Sequence, residues 1–284
     1  MEYRDFFSTE EFRSLLRQYE EAESSDCLSL FSSDDLTDIA EYYHYKGNFD
    51  KAVEVVDRAI ELYPGALGPL VFRARAALLK DEDARKALYY AEQIDDKDDL
   101  DYFYIRAEIM IAQFQVSEAN EYLLEKYDLV DEDEQQDFVL DVATLFADYE
   151  YWDLADSWAR NYDYPDTPDY QELQGRLSTA RGNYAEAEKI FNSLLDKNSF
   201  STVYWNQLAL AQLYSGKISE SLHSCDFALA INPNDSDALL TKANGLYMLN
   251  NYEGAADSYI KYMKSCGQEI PDDFDISEYI KKNS

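Results

Sequence analysis

Apolar side chains in this chain recur three and four residues apart, broken at regular intervals by short polar turns. The first such stretch reads Leu36, Ile39, Ala40 and Tyr43, and the next reads Phe49, Ala52, Val56 and Ala59. That spacing marks amphipathic helices with one buried face. Between the two stretches lies Lys46-Gly47-Asn48, and comparable breakers recur at Arg181-Gly182-Asn183 and Ser215-Gly216-Lys217. Glycine there can take the positive φ that ends one helix and starts the next. Pro64 and Pro233 close later helices, because proline cannot continue the hydrogen-bond ladder.

Small residues repeat in register. Ala40, Ala74, Ala107, Ala143, Gly175, Ala209 and Ala243 form one series, with steps of 32 to 36 residues. A second series trails it by twelve or thirteen residues: Ala52, Ala87, Ala119, Ala155, Ala187, Ser221 and Ala255. Two registers sharing one period identify an internal repeat of helix, tight turn and antiparallel helix, present seven times. A methyl group or a hydrogen at these points lets paired helices approach closely enough to interdigitate.

The spacing Trp-x-x-Leu-Gly-x-x-Tyr, Ala-x-x-x-Phe and Pro resembles the tetratricopeptide repeat, from about Ser33 to Ser265. The sixth unit carries Trp205, Leu208, Ala209, Gly216, Ser221, Cys225, Ala228 and Pro233; the fifth carries Gly175, Gly182, Tyr184, Ala187 and Phe191. The second unit departs from the pattern, with one extra residue between Ala74 and Ala87 and the charged breaker Lys80-Asp81-Glu82-Asp83. The fourth has Glu150 and Tyr151 where a turn glycine belongs. The resemblance implies an all-α fold, a right-handed superhelical α-solenoid of antiparallel helix pairs over residues 33–265. Residues 1–32 are expected to cap its amino-terminal end: Ser8 and Glu11 form a capping box, followed by a stripe of Phe12, Leu15, Leu16 and Tyr19. Residues 266–284 read either as a terminal cap or as the start of a further repeat in a longer array, with Pro271 to Ile280 resembling a first helix.

Charge narrows the partners. Lys and Arg total 25 against 58 Asp and Glu, a formal net charge of −33, which repels phosphate backbones and anionic headgroups. Nucleic acid and membranes are therefore not expected as partners, and the surplus either keeps a large surface soluble or favours basic partners. The amino terminus, MEYRDFFSTEEF, has no secretory pattern, and no stretch reaches the roughly 18 apolar residues of a membrane helix. Cytoplasmic residence is the expectation, although a chain that had lost its signal would read the same. Cys27, Cys225 and Cys266 are odd in number and lack Cys-x-x-Cys spacing, which argues against a disulfide framework or a zinc site.

Catalytic chemistry has little to build on. The two histidines, His44 and His223, lie in different units, so neither metal sharing nor a nucleophile–base pair is expected. Cys225 occupies the large apolar position of a second helix and reads as a buried, inert thiol. The runs Asp95-Asp96-Lys97-Asp98-Asp99 and Asp131-Glu132-Asp133-Glu134 lack the ligand order of a calcium loop. They read as solvated connectors whose charge favours the helix that follows. No cofactor, metal or small-molecule substrate is expected, and the chain is expected not to be an enzyme.

The expected activity is to hold another protein. In the resemblance, first helices line a concave groove, and the residues facing it would be Asp38, Glu41, Tyr45, Phe72, Arg75, Tyr104, Glu108, Asp141, Glu172, Arg176, Asn206, Tyr214, Asn244 and Tyr247. With 25 tyrosines, the chain has rings to spare for contact area with a polar tip, unless most of them pack between helices. Family members that hold acidic chaperone tails use lysine and asparagine on successive first helices; Thr37, Asp38 and Glu41 here do not assemble that clamp. The expected ligand is a peptide or helix of a neutral or basic partner protein. The alternative is a structural array that mediates its own oligomerisation or the assembly of a larger complex.

Overall fold

The computed structural model describes residues 6–23 and 28–268, so Cys27 and the stretch Pro271 to Ile280 lie outside the described residues. Every regular element among the described residues is helical. The chain divides into two compact units, Met1–Glu132 and Asp133–Ser284, at the acidic run 131–134.

The first unit holds α1 (Glu10–Glu23), a short 3-10 turn (Leu28–Leu30) and three helical hairpins. These are α2 (Ser33–Tyr45) with α3 (Phe49–Leu62), α4 (Leu67–Leu79) with α5 (Ala84–Ala91), and α6 (Leu100–Ala112) with α7 (Val116–Tyr127). Among its described residues the second unit holds four: α8 (Gln135–Asp148) with α9 (Trp152–Ala159), α10 (Pro168–Ala180) with α11 (Tyr184–Lys197), α12 (Thr202–Tyr214) with α13 (Ile218–Ile231), and α14 (Ser236–Met248) with α15 (Tyr252–Ser265). Within each unit, each hairpin packs on the next, and successive first helices also touch one another, whereas successive second helices hardly do. Each unit therefore presents its first helices as one continuous face. The chain is an all-α solenoid of antiparallel helix pairs.

Local chemistry starts these helices. Ser32 and Asp35 form a capping box on α2, with bonds of 3.1 and 2.9 Å. Asp99, the last residue of the first acidic run, accepts the Asp101 amide at 2.8 Å to cap α6. At the start of α1, Thr9 Oγ1 accepts the Phe12 amide at 3.1 Å and donates to the Phe6 carbonyl at 2.7 Å. Tightening that turn brings the Phe7 and Phe12 rings to 4.8 Å from each other, with the Tyr42 ring of α2 at 5.5 and 5.3 Å.

Helix crossings fall at the small residues. Ala40, Ala52, Ala74, Ala87, Ala107, Ala119, Ala143, Ala155, Ala187, Ala209 and Ala255 are wholly inaccessible. Ser221, in an alanine position, satisfies its buried hydroxyl by donating to the Ala209 carbonyl at 2.7 Å. At Gly175 even a methyl group is excluded, because an added Cβ would stand 2.5 Å from the Phe191 ring.

All seven hairpin turns contain a residue at positive φ, followed by an amide that reaches back to a carbonyl near the end of the first helix. Six of them span five residues, as in Asn48 to Tyr43 at 2.8 Å and Tyr151 to Phe146 at 2.8 Å. In the second hairpin Asp83 reaches back six residues to Ala77 at 2.9 Å, which accommodates the extra residue there. Gly47, Gly182 and Gly216 take the positive φ in three turns, at 75°, 75° and 81°. Glu82, Phe114, Glu150 and Asn250 take it in the others, at 49°, 63°, 62° and 61°. An L-residue there costs about 1–2 kcal/mol that glycine does not.

Candidate functional site

On the first unit's face, the residue that follows each small crossing residue gives a row: Glu41 on α2, Arg75 on α4 and Glu108 on α6. Arg75 Nε donates to Glu108 Oε1 at 3.0 Å, binding neighbouring repeats together. Glu41 lies on the other side of Arg75. Burial raises its carboxyl above the ordinary value, the Arg75 charge opposes that rise, and Asp38 adds to it. Asp38, one turn earlier, is also raised, by burial and then by Asp35 and Asp34. Asp101, at the start of α6, is raised by burial against the pull of Arg75. A single guanidinium thus serves several carboxylates that are partly withdrawn from water.

The second unit has a cleft of about 630 Å³ between α8 and α10. Asp137, Leu140, Asp141 and Thr144 line it from α8, and Asp169, Glu172, Leu173 and Arg176 from α10. Tyr162 and Thr167 complete it from the α9–α10 connection. That connection is long because α9 has eight residues, two turns, ending at Ala159. The freed chain folds back on the face: the Asp163 amide donates to Gln136 Oε1 at 2.7 Å, Gln171 Nε2 donates to the Pro165 carbonyl at 2.5 Å, and the Tyr162 and Tyr170 rings stack at 5.4 Å. Four carboxylates meet one cation there, and that cation is already engaged, with Arg176 Nη2 2.7 Å from Asp148 Oδ1 and Nη1 3.9 Å from Glu172 Oε1. Carboxylates beside the Tyr162 ring suit an ammonium or guanidinium group.

The structure thus brings together Asp141, Glu172 and Arg176 in the cleft, and Glu41, Arg75 and Glu108, with Asp38, in the row. Other groove candidates stand elsewhere. Phe72 and Tyr104 are only 7% and 9% exposed, so their rings fill space between helices and offer a ligand little surface. Tyr45 is 40% exposed, its ring 5.7 Å from that of Phe7 and 5.1 Å from the Lys46 ammonium. Asn206 is buried and donates through Nδ2 to Asp235 Oδ1 at 2.8 Å, tying α12 to the start of α14. The Tyr214 ring is exposed and lies 6.2 Å from that of Tyr184, Tyr247 packs edge-on against Tyr252 at 5.3 Å, and Asn244 is half-buried on α14.

Asp137, Leu140, Thr144, Tyr162, Thr167, Asp169 and Leu173 were not foreseen. The visible signal was the run Asn161-Tyr162-Asp163-Tyr164-Pro165-Asp166-Thr167-Pro168, too polar and proline-rich to continue α9.

Elsewhere, Cys225 is wholly buried beside Ala209, Ala228 and Ala238, and burial pushes its thiol up to about 12. His44 lies 5.7 and 5.9 Å from the Phe49 and Phe72 rings, and burial lowers its pKa. Among the described residues, no group of three His, Cys, Asp or Glu is placed to hold a metal ion, and no helix is long and apolar enough to cross a membrane.

Comparison with known proteins agrees with this architecture. The family profile described as tetratricopeptide repeat matches residues 206–268. A tetratricopeptide repeat protein from Parabacteroides merdae superposes with a TM-score of 0.54 at 16% identity, over 88% of this chain and 96% of that one. Yeast Tom70 superposes with a TM-score of 0.59 at 14% identity, over 89% of this chain and 55% of its own, so the present chain spans about half of that protein. No curated protein matches the sequence at a significant level.

Proposed function

From the premise that this chain is a tetratricopeptide-repeat protein, a kind of protein generally built as a non-catalytic interaction scaffold, we propose that its first-helix faces hold a basic segment of a partner protein. The observation that carries this reading is the cleft between α8 and α10, where Asp137, Asp141, Asp169 and Glu172 surround an Arg176 already paired with Asp148. A lysine or arginine entering there would exchange water for carboxylates and the Tyr162 ring, and the overall charge of −33 would steer its approach. The Glu41–Arg75–Glu108 row supports the same polarity on the first unit's face. Of the aromatic candidates on these faces, Phe72 and Tyr104 are buried and add little contact area, which leaves Tyr45, Tyr214 and Tyr247 to supply it.

The test is calorimetric titration of the full chain with a Lys/Arg-rich helical peptide and with its Glu-substituted counterpart. The basic peptide should bind and the acidic one should not. Asp141→Asn with Glu172→Gln should weaken the basic peptide about tenfold without lowering the melting temperature. The ionised carboxylates are the binding form, so affinity should fall as pH drops. For contacts to Glu41 and Asp38 the fall should begin above the ordinary carboxylate range, because both are raised. Equal affinity for the two peptides, or indifference to the double substitution, would refute the proposal.

A further inference from the structure

Of the seven hairpin turns, six place glycine, asparagine or glutamate at the positive-φ position, and one places Phe114, at φ 63°. A bulky aromatic residue in that conformation is a backbone outlier, and outliers that the fold does not require are a guide to function. The fold does not require this ring, because Phe114 is 91% exposed and so contributes almost no burial to the core. Removing it would relieve strain at no loss of packing, so its chemistry is directed outward.

A second apolar side chain accompanies it. Leu79, the last residue of α4, is 73% exposed at the adjacent turn, and α4 and α6 pack side by side, so both turns lie on the same edge of the first unit. Once ion pairs are set aside, the charges around them are acidic on balance. Exposed Glu82 lies in the first of these turns and exposed Glu118 in the first turn of α7 just after the second, with Asp83 capping α5 and Asp81 paired to Lys86. Of the other cations, Lys80 is tied to Asp50 and lies over the Phe49 ring at 4.0 Å, and Arg85 is exposed in the first turn of α5, so Glu82, Asp83 and Glu118 outnumber it. A second copy of this chain would bring another net charge of −33 against that rim, which opposes self-association.

We propose that the hairpin-turn edge of the Met1–Glu132 unit docks a different protein, with Phe114 as the anchor entering an apolar pocket whose rim is basic. This surface is separate from the first-helix face, and its partner need not be the protein held there. An exposed aromatic with a second exposed apolar side chain on the same edge and a charged surround has the make-up of an interface hot spot.

The test uses the full chain with p-benzoylphenylalanine in place of Phe114, and as control in place of Leu129, which is also exposed in the first unit but follows α7. Each is irradiated in an extract of the source cells, and the protein crosslinked from position 114 is purified and titrated against the unlabelled chain. Support requires an adduct from position 114 and not from 129, with affinity reduced about tenfold or more by Phe114→Gly and weakened by added salt. The Asp141→Asn/Glu172→Gln chain should bind that protein as the parent does, which separates this edge from the cleft. Phe114→Gly should melt no lower than the parent, showing that the lost affinity is not lost folding. Absence of a position-specific adduct, or unchanged affinity on Phe114→Gly, would overturn the proposal, and so would a salt-insensitive affinity for the basic rim.

Discussion

Gly175 offers a sharp test of how the crossings work. An added Cβ would stand 2.5, 2.8 and 2.9 Å from three carbons of the Phe191 ring, where ordinary contact needs about 3.4 Å or more. The ring must therefore retreat by most of an ångström. Phe191 is wholly buried among Ala187, Leu194, Leu195, Tyr204, Leu208 and Ala211, so it has nowhere to go without moving α11. Overpacking of this kind costs about 1–3 kcal/mol. Against it stands about 1 kcal/mol gained by replacing glycine with alanine inside a helix. Gly175→Ala should thus destabilise by about 1 kcal/mol, opposite in sign to the same change at an open helix site. Phe191→Leu alone should cost on the order of 1–2 kcal/mol for lost burial and residual cavity. Together the new methyl occupies the space that the smaller side chain leaves, so the double variant should be more stable than the sum of the two predicts, by about 1–2 kcal/mol. Urea denaturation of all four chains, followed by circular dichroism, measures this cycle. Additive effects, or a Gly175→Ala chain more stable than the parent, would refute the claim that the crossing needs a bare Cα.

Two further outcomes follow from the same geometry. Glu150→Gly puts glycine at φ 62° and should stabilise the fourth hairpin by about 0.5–1 kcal/mol, the relief of strain less the entropy of glycine; the melting temperature should rise by roughly 1–4 °C, and a fall would contradict the turn assignment. Cys225, buried with its thiol pushed up to about 12, should resist iodoacetamide at pH 8 until the chain unfolds, while exposed Cys266 alkylates at once, as mass spectrometry of the native and denatured protein would show.

Much of the fold could be read from residues alone, because its determinants are local and periodic. Helix pairs follow from apolar spacing, the crossings from alanine and glycine in two registers, and the stops from Gly47, Gly182, Gly216, Pro64 and Pro233. The irregular second and fourth units, where the extra residue and the missing glycine were visible, are the ones whose second helices, α5 and α9, have only eight residues.

The identity of exposed side chains was not legible in the same way. A first helix in a stack touches its own partner and both neighbouring hairpins, so most of its circumference is buried. A small rotation then decides which side chain is left at the margin. Phe72 and Tyr104 fell inward for that reason, although Asp141, Glu172 and Arg176, on the same kind of helix, lie together at a cleft. The cleft depends on how far a shortened α9 lets its connection fold back, and the strain at Phe114 on a turn that must close whichever residue occupies it. The sequence by itself determined that helical hairpins form and where they cross, since periodicity is a property of neighbours along the chain. Which carboxylates face one another, and which aromatic ring is held out in water, only tertiary structure decided, because both depend on contacts between residues far apart in sequence.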